Sequence, residues 1–405
     1  MLLATFVVLG FAYSLVSRRL DATIVTGPIV FTLAGIAMPA IAPVEFGVGD
    51  TKIFLHLAEV GLVLLLFSDA AHTDLSVLWN IRNLPARLLA IGLPLTLAAG
   101  ALAAWLMLPG LGLWEAAILA AILAPTDAGL GQVIVTSPRA PLKVRQALNV
   151  EAGLNDGLSV PFLLFFIALA AVSEGAPASL GRYVVEQLGY GVAVGALIGL
   201  GGGWLLGWAS RRDWISEALK PVGVVALPFL CLLVSEAVAA SMFIAAFVAG
   251  LAVQKGYRAA GKLSVAFGET WGQLVNLSVF FLFGMLVARN WHEIDLAIAA
   301  YAVVSLTVVR MLPVAIALIG TGLSRPTVLF MGWFGPRGLA SIVLGLVYVE
   351  SEINLPGEST IRVAVLATVL LSIFAHGFSA QPGIGLYARK VDKLGQGTPE
   401  RRDAD

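Results

Sequence analysis

Val150-Glu-Ala-Gly-Leu-Asn-Asp-Gly-Leu-Ser-Val-Pro161 sets Glu151, Asn155 and Asp156 inside an apolar segment that runs on through Phe162 to Val172. A carboxylate at the centre of a bilayer helix costs roughly 2.5–3.5 kcal/mol on insertion scales. Two carboxylates and an amide in one such helix therefore need partners or a task. On a helix Glu151 and Asn155 share a face at i,i+4, whereas Ala152, Asp156 and Ser159 lie on the adjacent one. The two acids point to different neighbours.

The chain around this stretch is apolar throughout. Its 405 residues are 59% hydrophobic and 12% charged, where soluble domains carry about 25% charged residues, and the mean hydropathy is +0.92. Apolar blocks of about 18–25 residues match a helix crossing a ~30 Å hydrocarbon core. The alternating segments of about ten residues that mark a β-barrel are absent. These features exclude a soluble globular enzyme and predict an all-α polytopic membrane protein. One cysteine, Cys231, excludes a disulfide framework, and four histidines without paired spacing argue against a zinc site. No cofactor and no nucleic-acid partner is expected. The first apolar run, to Val16, has no basic flank before it and reads as a retained helix.

Breaking the apolar blocks at charge clusters gives about thirteen spans. They fall near residues 1–17, 24–43, 53–71, 86–109, 113–136, 144–172, 184–209, 219–237, 241–254, 270–288, 295–320, 326–349 and 361–381. Nineteen Lys and Arg residues then collect on one side, and four, Lys52, Arg182, Arg289 and Arg362, on the other. By the positive-inside rule the N-terminus is outside and the C-terminus cytoplasmic. Arg310 and Arg337 alone stay within spans. Acids such as Glu45, Glu115 and Glu293 gather in the outer loops. There they either concentrate cations at an entrance or drift under topology rules that ignore them.

Residues 1–387 read as one transmembrane domain: a first repeat over about 1–172, a linking helix over about 184–209 and a second repeat over about 219–381. The linking helix carries Gly191, Gly195, Gly199, Gly203 and Gly207, a small-xxx-small seam for close packing between the halves or between copies of the chain. Residues 388–405, with Gly395, Gly397 and Pro399 among charges, are expected to be a disordered cytoplasmic tail.

Span 5 contains Pro125-Thr-Asp-Ala-Gly-Leu130, and span 12 contains Pro336-Arg-Gly-Leu339. Each proline removes a backbone donor, so both helices are expected to break, which a membrane tolerates only where the break is buried or lines a cavity. Spans seven apart run in opposite directions. An inverted-topology repeat with broken crossing helices follows, its binding site near the midplane. Asp156-Gly-Leu-Ser159 and His376-Gly-Phe-Ser379 are a fainter echo of the same repeat. Asp127 either coordinates a cation at the break or caps the second half-helix, and the two roles are compatible. Asn155 and Asp156 are expected to form the ion site where the breaks cross. Arg337 is the expected partner of Glu151, a structural pair. Asp69, at the end of span 3, ligates the ion, lines its path or marks the helix end, while His72 and Asp74 lie at the interface.

Pro125-Thr-Asp127, Glu151-Ala-Gly-Leu-Asn-Asp-Gly157 and Gly335-Pro-Arg-Gly338, in that order and in those spans, resemble the sodium/proton antiporters of the NhaP and NHE branch of the monovalent cation/proton antiporters. The resemblance covers nearly the whole chain. It implies that Asp156 binds cation and proton in turn, that Asn155 supports it, and that Thr126 and Asp127 complete the site. It also implies that Glu151 and Arg337 hold helices together, that the chain dimerises, and that it lies in a bacterial cytoplasmic membrane, serving pH homeostasis. Asn155 in place of an acid implies electroneutral, one-for-one exchange. Ala152 stands where some members carry a hydroxyl ligand, so a site water is expected in its place; Ser159, on the same face as Asp156, is a possible accessory.

An aspartate in water titrates near ~4, and burial favours its neutral form. A desolvated carboxyl can thus hold either a proton or Na⁺, Li⁺ or K⁺, with alternating access between the two faces. Two rival readings use the same fold: an organic-anion transporter with half-helix N-termini at its substrate, and a gated cation channel lined by carboxylates. Acids at the break disfavour the first, and coupling distinguishes the second.

Overall fold

In a computed structural model of the chain, the structure describes residues 2–20, 23–41, 48–73, 84–127, 129–173, 175, 179–267, 272–350, 353, 355–394 and 398–400. Every regular element among them is helical. In chain order these are α1 (Leu2–Leu20), α2 (Gly27–Ile41), α3 (Val48–His72), α4 (Leu84–Arg87), α5 (Leu93–Met107) and α6 (Leu113–Leu123). There follow α7 (Gln132–Val135), α8 (Leu142–Ser173), α9 (Ser179–Arg211), α10 (Lys220–Ala237), α11 (Met242–Val253) and α12 (Ala260–Phe267). The chain closes with α13 (Gln273–Asn290), α14 (Leu296–Leu306), α15 (Val308–Ala317), α16 (Arg325–Trp333), α17 (Leu339–Glu350) and α18 (Glu358–Val391). Among the described residues, eight helical stretches are long and apolar enough to cross a membrane, and α2, α6, α11 and most of α17 are shorter apolar helices.

The helices sort into two groups by packing. In the first, α13 lies on α2, and α3, α9, α10 and α11 pack together. In the second, α5, α6, α8 and α14 to α18 pack together. Close approach in the first group depends on glycine. A Cβ on Gly195, Gly199 or Gly203 of α9 would collide with the carbonyl of Ala245, Ala249 or Val253 on α11. The glycine seam is therefore spent inside the chain. Gly35 of α2 and Gly284 of α13 make the same kind of contact, each against the other helix's backbone.

Several local features depart from expectation. α12 is a short helix between the ninth and tenth spans, with no apolar block of its own to announce it. The eleventh span kinks at Thr307 (φ −105°, ψ −85°), dividing α14 from α15. α18 continues ten residues past Gln381, so Ala388 to Val391, expected in the tail, form its last turn. Beyond it Glu400 is 3% exposed, and its Oε1 accepts from Ser324 N–H (2.5 Å) and Thr327 Oγ1–H (2.9 Å) at the start of α16. Glu115 is also no surface acid. It is 6% exposed, and its two oxygens accept from Gly112 N–H (2.7 Å) and Gly357 N–H (2.6 Å), capping α6 and α18 together. Glu45 and Asp74 lie outside the described residues.

Candidate functional site

α6 stops short of Pro125, which lacks an N–H and whose ring obstructs the preceding turn. The chain then runs irregularly through Asp127 to the short α7. α16 stops in the same way ahead of Pro336. The two irregular segments meet and bind each other reciprocally. Asp127 N–H donates to Pro336 O (2.7 Å). Arg337 Nη1–H donates to Pro125 O (3.0 Å) and to Ala124 O. Arg337 thus serves carbonyls freed at the C-terminal end of α6, where the helix dipole favours a cation.

Asp127 works at the opposite helix ends. Its Oδ1 accepts from Gly129 N–H (2.7 Å) and Leu130 N–H (3.0 Å), and its Oδ2 from Leu339 N–H (2.7 Å). One carboxylate therefore caps the turns leading into both α7 and α17. Gly338 makes this possible, because a Cβ there would collide with the Asp127 carboxylate.

α8 holds the first break from the side. Thr126 N–H donates to Asn155 Oδ1 (3.2 Å), and Asn155 Nδ2–H donates to Thr126 Oγ1 (2.7 Å). The Ser159 hydroxyl donates to Asn155 O (2.7 Å), so the possible accessory group is used within α8. Glu151 faces elsewhere, and its expected partner must be corrected. Arg310 of α15, not Arg337, takes the carboxylate with both Nη groups (2.5 and 2.9 Å), and both side chains are buried. Arg337 is instead held by its Nη1 at the carbonyls of the broken α6. Gly335 leaves the room that Arg310 fills, since a Cβ there would strike its guanidinium.

Asp156 has different surroundings. It is 4% exposed, and its Oδ1 is buried without a hydrogen-bond partner. It lines a cavity of about 1400 Å³ on the seam between the two helix groups, together with Asp69 and Asp127. Asp69 is half-buried, and its side chain lies against Gly153, one turn before Asp156 on α8. From these acids the lining extends to Ser17, His72, Ser137 and Lys143, where α1 and α3 end and α8 begins. Among the described residues no three of His, Cys, Asp and Glu are grouped to hold a metal ion.

The structure thus brings Thr126, Asp127, Asn155, Asp156 and Asp69 to one crossing, where Asp69, Asp127 and Asp156 line the cavity and Thr126, Asn155, Glu151 and Ser159 do not. It adds Ser372, which the sequence did not single out. Arg337 N–H donates to Ser372 Oγ (2.6 Å), and the His376 ring, with Nδ1 3.1 Å from Ser372 Oγ and Nε2 2.9 Å from Trp333 O, ties the second break to α18. The His376-Gly-Phe-Ser379 echo marked this neighbourhood, whereas Ser372 had only its i,i+4 spacing from His376 to mark it.

Known proteins resemble the chain over most of its length. Residues 2–384 match the family model described as sodium/hydrogen exchanger, transmembrane. A K(+)/H(+) antiporter NhaP of Alkalimonas amylolytica is 26% identical over 382 residues, covering 91% of this chain and 63% of that protein. A K(+)/H(+) antiporter NhaP2 of Shewanella baltica is 24% identical over 364 residues, covering 87% and 60%. The chain thus spans about three-fifths of the length of these relatives. The solved structure of the sodium proton antiporter MjNhaP1 from Methanocaldococcus jannaschii at pH 8 superposes with a TM-score of 0.78 at 18% identity, over 97% of this chain and 98% of that one. At that identity the match shows a shared fold.

Proposed function

The chain belongs to the transmembrane sodium/hydrogen exchanger family, and from that premise we propose that it is a secondary transporter exchanging a monovalent cation for H⁺. Na⁺ is our first choice of cation, with Li⁺ and K⁺ as the alternatives. The observation that carries the reading is the unpartnered, buried Asp156 Oδ1 on the cavity wall. A buried carboxylate without a partner is costly, and either a proton or a cation bound there removes the cost. Its neighbours do not fill that role. Asp127 is committed to three N–H groups, Glu151 to Arg310, and Arg337 to backbone carbonyls. Four acids and two arginines around the crossing leave an excess of negative charge that a transported cation or proton offsets.

Thirteen spans account for the helices: the eight long stretches, α2, α3, α11, and the two broken helices α6–α7 and α16–α17. A seven-span shift turns α2 into α11 and α13 into α3. The pairs α2–α13 and α3–α11 then exchange, which supports an inverted repeat. With the positive-inside rule, the cavity mouth at Ser17, Ser137 and Lys143 is cytoplasmic. This conformation is then open to the cytoplasm, and α6, buried from Glu115 to Ala124, seals the other side. Alternating access follows from movement of one helix group against the other. We place the protein in a bacterial cytoplasmic membrane, with Asn155 favouring electroneutral exchange.

The test is coupling in proteoliposomes. An imposed gradient of Na⁺, Li⁺ or K⁺ is expected to drive proton movement in the opposite direction, and Asp156→Asn to abolish it. Cation conductance without proton coupling would identify a channel instead. Coupling retained by Asp156→Asn would remove Asp156 from the mechanism.

A further inference from the structure

Three buried oxygens that lack hydrogen-bond partners line the cavity among the described residues: Thr26 Oγ1, Asp156 Oδ1 and Asn276 Oδ1. Thr26 lies against α18, its Oγ1 3.5 Å from where a Cβ on Gly377 would sit. Asn276 lies at the crossing itself. Its Nδ2 and Asp127 Oδ1 are each 3.0 Å from where a Cβ on Gly129 would sit, so its amide stands against the turn that Asp127 caps. A Cβ at that turn would crowd the amide, which would have to give by a few tenths of an ångström. A buried amide oxygen with no donor leaves its desolvation uncompensated, and a neutral carbonyl-type oxygen is a fitting ligand for a hard cation.

The helices that carry these oxygens matter. Asn276 belongs to α13 in the first helix group, and Asp156 to α8 in the second. Resting on the exchange reading above, we propose that Asn276 is a cation ligand which the first helix group supplies to the Asp156 site in this cytoplasm-open conformation. When the groups move relative to each other, α13 carries the amide away from α8, and the cation loses a ligand as it turns to the other face. The amide adds no charge. It strengthens cation binding against proton binding without altering how many charges the site exchanges.

The experiment compares wild type with Asn276→Ala in right-side-out and everted membrane vesicles, measuring exchange of Na⁺, Li⁺ and K⁺ against H⁺ from each face. Loss of one neutral ligand is expected to raise the cytoplasmic-side KM about fivefold. The KM at the outer face and the maximal rate stay unchanged, and protons suppress cytoplasmic cation uptake at a higher pH than in wild type. Asn276→Asp, which keeps an oxygen in place, is expected to restore a low cytoplasmic KM, and serves as the folded control if the alanine variant does not accumulate. An unchanged cytoplasmic KM in Asn276→Ala, or an equal rise at both faces, overturns the assignment while leaving Asp156 exchange intact. If the alanine variant is lost, an Asn276→Asp KM raised at both faces overturns it equally. Absence of exchange in wild type overturns the transport reading and this ligand with it.

Discussion

Asp127, Asp156 and Glu151 are acids of one buried region, and their partners separate them. Glu151 is matched by Arg310 in two hydrogen bonds. Removing one member of such a buried pair strands the other, at a cost of about 3–5 kcal/mol. Glu151→Gln is therefore expected to lower thermal stability in detergent markedly, and an unchanged melting curve would show that Arg310 has another counter-ion. Asn155 is held on both sides of its amide by Thr126. Asn155→Asp retains the shape and adds a carboxylate beside Asp156. Exchange by that variant is expected to respond to membrane potential where wild type does not, and equal rates with and without an imposed potential in both forms would refute the idea. The sequence made the division between Glu151 and Asp156 legible, because helical periodicity alone puts them on different faces. It did not reveal which arginine meets Glu151. Arg337 looked available because the carbonyls it serves belong to the other broken helix, and which side chain meets them is decided only where the two breaks come together.

At the scale of elements, the two broken helices were legible from proline placed among polar residues in apolar blocks, and the glycine seam of α9 from its four-residue spacing. The seam's partner was not, since small residues on α11 carry no signal of their own. The structure assigns it: Gly199 packs on Ala249, and a side chain there has no space. Gly199→Leu is expected to cost stability by overpacking, typically about 1–3 kcal/mol, read as a lowered melting temperature. A melt equal to wild type would mean that α9 and α11 separate readily. The ends of elements were the least legible. Glu115 and Glu400 each cap a helix that belongs to a distant part of the chain. Capping partners that meet only through tertiary folding cannot be read from local sequence.

For the whole molecule, length, hydropathy and the segregation of basic residues were enough to give an all-helical membrane fold. The cavity was not, because it arises where two helix groups meet and is lined from both. Asp69 and Asn276 reach it from the first group, and Asp127 and Asp156 from the second. In the proposed mechanism a site divided in this way changes as the groups move, which would link binding to alternating access. The central claim is that cation and proton compete for Asp156, and cation-driven proton release tests it most directly. Purified protein in weakly buffered detergent solution near neutral pH is titrated with Na⁺, Li⁺ or K⁺ while a pH indicator records released protons. Wild type is predicted to release protons saturably with at least one of these cations, and Asp156→Asn to release none. Equal release from both proteins, or none from wild type with any of the three, would contradict the account.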